Sequence, residues 1–350
     1  MPLKSMPAIT ALLALTLLGA APPAEKNITK PEEKKVTNKI DVTLLHINDT
    51  HGRILAYTEK NKKVVGGYAR LATLISDIRT SSKSDRVFLV HAGDILSRGD
   101  KLTRKTLGAA NIELLNHLKF DFWTPGNGEF YDGLKVLQDR IAQANFNVLT
   151  ANVKLEKTGK TLGKPYIIER AGDVRIAFVG LCLVRKRSLK GLDVTEAKTA
   201  AQELVKKLKK QADVIIAVTH IGLLKDQVLA KSVEGIDVII GGHSHSFVKE
   251  GLSVKNSSGS KTLICQAGDY MKHLGQVDLS LTKTETGWEV TKATAKLHAI
   301  NEKIKIDPTV KALIAKMSKP NWKPTETKPQ VEKETEKESK ETSKQPALKQ

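Results

Sequence analysis

The stretch Val42-Thr-Leu-Leu-His-Ile-Asn-Asp-Thr-His-Gly52 changes character halfway along. Its first half is apolar and rich in β-branched residues, the composition of a buried strand; its second half is abruptly polar, with Asp49 and His51 two residues apart. In a helix-covered sheet the strand fixes the backbone and the loop beyond it presents side chains, so functional groups collect at strand ends. A carboxylate and an imidazole this close can share one divalent ion, the oxygen suiting harder metals and the nitrogen suiting zinc, iron or manganese. Alone, an Asp-x-His is an ordinary solvated loop. Here the arrangement recurs along the chain.

Residues 87–90, Val-Phe-Leu-Val, read as another buried strand, which ends in Ala92-Gly93-Asp94. Phe122-Trp123-Thr124 leads into Pro125-Gly126-Asn127, residues 214–219 end in His220, and residues 236–240 end in Gly241-Gly242-His243-Ser244-His245. Further strands are expected at 147–152 and 175–182. Between them, Leu71, Leu74, Ile75 and Ile78 at i, i+3, i+4 and i+7 predict an amphipathic helix. Others are expected over 105–118, with Ile112, Leu115 and Leu118 on one face, and over 195–210. This alternation predicts an α/β fold with a parallel or mixed sheet under helices. After Lys261 the pattern changes to strands at 262–267, 275–281 and 288–300 joined by short turns, an antiparallel closing section of the same fold.

Five strand ends thus carry Asp49 with His51, Asp94, Asn127, His220, and His243 with His245. A single loop histidine is usually a polar surface residue; seven oxygen and nitrogen ligands repeated at one edge point to a metal centre. Glycines beside them, among them Gly52, Gly93, Gly126, Gly241 and Gly242, permit sharp turns and close approach to ions. Seven ligands exceed what one tetrahedral ion takes, so two divalent ions sharing a bridging carboxylate is the economical arrangement. Manganese, iron, zinc and cobalt all suit this ligand mix.

The 350 residues can bury a substantial core. A lysine at position 4, an apolar run over 8–20 and Ala21-Pro22-Pro23-Ala24 read as a signal peptide over 1–24, implying export to a periplasmic or extracellular location. The apolar run is too short to span a bilayer comfortably, and no transmembrane segment is expected in the mature chain. A linker is expected over 25–40, the principal domain over 41–305, a short helix over 306–320 and a disordered charged tail over 321–350. The formal charge of +19 and pI near 9.7 belong mainly to the body. They fit a lysine-rich solvated surface, with long-range attraction to phosphorylated substrates or anionic envelope polymers. Aromatic residues make up 4% of the chain and do not interleave with basic clusters, which argues against a dedicated single-strand nucleic-acid binder. Cys182 and Cys265 fit one disulfide or two buried thiols equally well.

As a set, Asp49-Thr-His51, Gly93-Asp94, Gly126-Asn127, His220 and Gly241-Gly242-His243-Ser244-His245 resemble the five blocks of the calcineurin-like metallophosphoesterases. The flanking residues, His46 to Gly52, Gly66-Gly67 with Arg70, Glu129-Phe130 and Gln266-Ala-Gly268, resemble the bacterial 5′-nucleotidase branch. Over residues 41–300 the resemblance implies a four-layer αββα sandwich with a dinuclear site at the strand ends. One ion would lie on Asp49, His51 and His245, the other on Asn127, His220 and His243, with Asp94 bridging. It also implies a phosphoesterase in which hydroxide generated at the ions attacks phosphorus, with nucleotides or other small phosphate esters as substrates.

The family places a histidine acid after the asparagine ligand and an aspartate after Glu-Phe; here those positions hold Gly128 and Tyr131, with Asp132 one place later. General acids typically contribute about 10²–10⁴-fold, so a slower enzyme favouring good leaving groups is expected. Asp132, Tyr131 and His91 are the nearby candidates to replace the acid, His91 being disfavoured by strand alternation, while Arg53 and Arg98 are candidates to clamp phosphate. The branch also carries a C-terminal nucleoside-binding domain where this chain has its charged tail, leaving nucleotide specificity open. The alternatives are a metal- or phosphate-binding module with little or no turnover, and an envelope-binding protein acting through its charge.

Overall fold

The computed structural model describes residues 38–96 and 98–325. Its principal strands are β1 (Lys39–Ile47), β2 (Arg86–His91), β3 (Phe122–Trp123), β4 (Asn147–Val148), β5 (Tyr166–Ala171), β6 (Val174–Cys182), β7 (Val214–His220), β8 (Val238–Ile240), β9 (Leu252–Lys255), β10 (Lys261–Cys265), β11 (His273–Thr284) and β12 (Gly287–Ala299). The helices are α1 (Tyr68–Ser81), α2 (Lys101–Lys105), α3 (Ala109–His117), α4 (Leu134–Gln143), α5 (Ala197–Leu208), α6 (Leu223–Ser232) and α7 (Pro308–Met317). One sheet has the order β12-β11-β1-β2-β3-β4 and the other β9-β10-β8-β7-β6-β5. Parallel pairing of β1 with β2 and β2 with β3, and of β6 with β7 and β7 with β8, brings the carboxyl ends of neighbouring strands to a common edge within each sheet.

Side-chain alternation assigns the layers. On β1, Val42 and Leu44 pack between the sheets, and Leu45 and Ile47 pack on the opposite face. On β6, Ile176 and Phe178 face inward, while Ala177, Val179 and Leu181 face outward. The outer face of the first sheet is covered by residues of α1, α3, α4 and α7, and that of the second by residues of α5 and α6. Helix, sheet, sheet and helix make the expected four layers. Between the sheets, Phe178 stacks on Phe122 at 4.0 Å between ring centroids and meets Phe88 edge-on at 5.0 Å.

Two expectations change. The helix expected over 105–118 starts at Ala109, because Leu107 and Gly108 take φ of 46° and 77° and interrupt it. A Cβ on Gly108 would lie 2.5 Å from Leu96 Cδ2, so the break also seats the helix against the loop after β2. The closing section is only partly antiparallel. Strand β10 pairs parallel with β8 in the second sheet, whereas β11 and β12 cross back to the first as an antiparallel pair beside β1. Cys182 and Cys265 are buried free thiols in different core layers. Burial raises both, Cys265 to about 12. Residues 1–37 and 326–350, holding the expected signal segment and most of the linker and tail, lie outside the described residues. No helix among the described residues is long and apolar enough to cross a membrane.

Phe178 is fully buried at the contact between the two sheets. Truncating a buried phenylalanine typically costs about 3–5 kcal/mol. Phe178→Ala is expected to lower unfolding free energy by that amount in denaturant titration, with little change in slope against denaturant.

Candidate metal centre

All seven residues expected at the strand ends lie at the expected edge, and the surrounding hydrogen bonds show why their side chains converge. The loops after β1 and β2 are joined backbone to backbone: Asp49 N donates to Gly93 O, His51 N to Asp94 O and Gly52 N to Ile95 O, at 2.7–2.9 Å. This pairing accompanies left-handed backbone at Asp49, His51 and Asp94, with φ of 47–55°. His243 and His245 are also left-handed, at 78° and 55°. Five of the seven candidate residues therefore hold a conformation that non-glycine residues seldom adopt, the kind of strain that collects at functional sites.

The side chains group closely. Asp49, His51 and His245 offer ligand atoms within 4.8 Å of one another, as do Asp49, Asp94 and His220. Asp49 Oδ1 lies 3.7 Å from His51 Nε2, 3.3 Å from His245 Nε2 and 3.9 Å from His220 Nε2. Asp94 reaches both groups, its Oδ1 3.4 Å from His220 Nε2 and its Oδ2 3.8 Å from His51 Nδ1. His243 adjoins the second group, with its ring centroid 5.3 Å from that of His220, and its amide donates to Asp49 Oδ2 at 2.9 Å.

In three residues one polar atom is tied back into the protein and the other is left over. Asp49 Oδ2 accepts from Asn48 Nδ2 and the His243 amide, but Asp49 Oδ1 has no hydrogen-bond partner among the described residues. His220 Nδ1 meets the Ala92 carbonyl at 2.7 Å, leaving Nε2 without a partner. Asn127 Nδ2 donates to the Tyr131 hydroxyl at 2.6 Å, leaving Oδ1 without one. Unsatisfied buried polar atoms are costly, and these belong to ligand types for first-row divalent metals. The Nδ1 contact of His220 suits the outer-sphere hydrogen bond that fixes a ligating imidazole with Nε2 deprotonated, and Asp269, 3.3 Å from His245 Nδ1, is placed for the same task. The donor set fits divalent cations.

Electrostatics agree. Asp49 and Asp94 are almost inaccessible to solvent. Burial would raise Asp94, but the His220 ring and the Gly128 amide bring it well below the usual carboxylate range. Burial would lower His220, yet Asp94 and Asp49 lift it to about 9.

Glu129, fully enclosed, accepts from the amides of Asp94, Ile95, Leu96 and Gly126 and so clamps the β2 and β3 loops together. Burial and the nearby Asp94 charge raise it to about 7. In the sequence Glu129 and Asn48 stand out only through the flanking motifs, and Asp269 not at all, because its contact with His245 spans 24 residues of chain. Gly128 donates its amide to Asp94 Oδ1 at 2.6 Å. Asp132 is exposed. His91 is buried, accepts from the Gly93 amide through Nδ1 and is lowered by desolvation to about 3. Arg53 lies over the Tyr57 ring, 3.8 Å from Asp100, and 5.6 Å from the Tyr270 centroid. Arg98 is exposed on left-handed backbone.

A two-sheet α/β sandwich with paired carboxylates and imidazoles at its strand ends is the architecture of a metal-dependent phosphoesterase. The chain belongs to the calcineurin-like phosphoesterase family, whose model matches residues 42–247. It is 32% identical to a probable 5′-nucleotidase of Treponema pallidum over 274 residues, covering 70% of this chain and 46% of that one. In structure it is similar to a 5′-nucleotidase precursor of Thermus thermophilus, with a TM-score of 0.70 and 26% identity over 80% of this chain and 59% of that one. It is also similar to the calcineurin-like phosphoesterase YfkN of Bacillus subtilis, with a TM-score of 0.65 and 25% identity over 80% of this chain and 97% of that one. The chain spans about half the length of the curated relatives it matches.

Asp226 packs behind the β8 loop and accepts from Thr219 Oγ1 at 2.6 Å. Burial raises its pKa from 3.8 to about 7. The folded state therefore retains a proton that the unfolded state releases between these values, and the resulting stabilisation is lost as pH rises. In metal-free protein, wild type should lose stability relative to Asp226→Asn between pH 4 and pH 7, as followed by denaturant titration at each pH. A pH-independent difference would contradict this.

Proposed function

We propose that the chain is an exported phosphoesterase of the 5′-nucleotidase kind, hydrolysing nucleotides or other small phosphate esters with two divalent ions. One ion would be held by Asp49, His51 and His245 and the other by Asn127, His220 and His243, with Asp94 shared. Bound there, the ions would supply positive charge for phosphoryl oxygens and acidify water. The observation that carries the reading is the convergence of unpartnered ligand atoms, Asp49 Oδ1 and His220 Nε2 beside Asp94, with Asn127 Oδ1 likewise unpartnered.

The chain itself supplies position and charge. Asn48 and the His243 amide fix Asp49, Gly128 N fixes one oxygen of Asp94, and Tyr131 orients the Asn127 amide. Gly128 has no side chain to protonate a departing oxygen, and exposed Asp132 has no contact among the described residues that aims it there. Esters with weakly basic leaving groups are therefore the preferred substrates. Export rests on the pattern of residues 1–24, and manganese, iron, zinc and cobalt all suit the donors.

The test is phosphate release by metal-stripped protein reloaded with manganese, on an aryl phosphate and a nucleoside monophosphate, with Gly128→His in parallel. Turnover is expected only with metal and fastest on the aryl phosphate. Gly128→His should raise the monophosphate rate by about 10²-fold, the low end of general acid catalysis. Metal binding without turnover in either protein would leave a binding module instead.

A further inference from the structure

His245 is the least enclosed member of the first candidate group: its side chain is 35% exposed, against 11% for His51 and 0% for Asp49. Packing alone does little to fix its ring, so a polar contact has to. Asp269 makes that contact, its Oδ2 lying 3.3 Å from His245 Nδ1. The other oxygen of the same carboxylate, Oδ1, accepts from Lys272 Nζ at 2.8 Å. The local backbone brings this pair together. Tyr270 and Met271 take left-handed φ of 50° and 60°, and Lys272 N donates to Asp269 O at 3.1 Å, so the turn folds Lys272 back beside Asp269. The turn is also tied to the metal centre, because Tyr270 N donates to Asp49 O at 2.8 Å and the Tyr270 ring centroid lies 5.3 Å from that of His51. On its other side Lys272 Nζ lies 3.7 Å from Oε1 of Glu59, in the short hairpin formed by Tyr57–Thr58 and Val64–Val65.

We infer that Lys272 is a positioning residue for the metal centre, holding the Asp269 carboxylate at the angle from which it orients His245. This rests on the metal-binding reading above. A carboxylate bonded through one oxygen can turn about its Cβ–Cγ bond. Bonded through both, it offers a fixed acceptor to Nδ1–H and leaves Nε2 as the ligand nitrogen. Among the described residues the Lys272 ammonium meets Asp269, Glu59 and the Tyr270 ring, and none of the seven candidate ligands. Its effect on the ion therefore passes through Asp269.

The experiment is calorimetric titration of manganese into metal-free wild type, Lys272→Met, Lys272→Arg, Asp269→Ala and Asp269→Ala/Lys272→Met. Lys272→Met keeps the aliphatic stem and should weaken one of the manganese binding steps about tenfold, the low end for loss of an outer-sphere partner. Lys272→Arg keeps a cationic donor and should recover most of that loss. In the Asp269→Ala background the lysine substitution should change affinity by less than about twofold, because the group it acts through is gone. Equal affinity in Lys272→Met and wild type, no recovery in Lys272→Arg, or the same loss with and without Asp269 would overturn the positioning role and leave the metal-binding reading standing. Absence of manganese binding by wild type would overturn both.

Discussion

Two buried carboxylates facing the same imidazole set the terms for this molecule. Asp49 and Asp94 are shielded from water, and each lies within 4 Å of His220 Nε2. Burying like charges together is unfavourable by several kcal/mol unless positive charge accompanies them. The protein meets part of this demand with donors, Asn48 and the His243 amide on Asp49 and the Gly128 amide on Asp94. What these leave unsatisfied points at one place. A site with this imbalance suits cations, and five of its candidate ligand residues take left-handed backbone.

The two-sheet architecture makes such a site affordable in conformational terms. Strands β1 to β3 deliver Asp49, His51, Asp94 and Asn127 from one sheet, and β7 and β8 deliver His220, His243 and His245 from the other. The packing of Phe178 against Phe88 and Phe122 fixes one sheet on the other. Cross-sheet contacts then close the site, with His220 Nδ1 on the Ala92 carbonyl and the His243 amide on Asp49. Glycine is required where these loops touch: a Cβ on Gly93 would lie 2.5 Å from His220 Nδ1 and one on Gly126 2.3 Å from Asp94 Oδ1.

Much of this was legible in the sequence, for a physical reason. A strand that runs out into polar residues is a local signal, and His51, Asp94, Asn127 and His243 carry it directly beside a glycine. What was not legible is long-range or weakly patterned. Glu129 gathers four amides from two loops, and nothing local distinguishes it from any acid in a turn. Helix α6 leaves Leu224 and Val228 exposed while burying Leu229 and Ala230, so its pattern does not mark a clean face. The sheet crossover that sends β10 parallel to β8 but returns β11 to β1 cannot be read from strand spacing alone.

The most direct measurement is the number of manganese ions retained per chain by metal analysis after equilibrium dialysis, in wild type and Asp94→Ala. The account predicts two ions in wild type and a loss in the variant that affects both, because Asp94 reaches both groups of ligands. Absence of bound metal in wild type, or an unchanged two ions in Asp94→Ala, would contradict it.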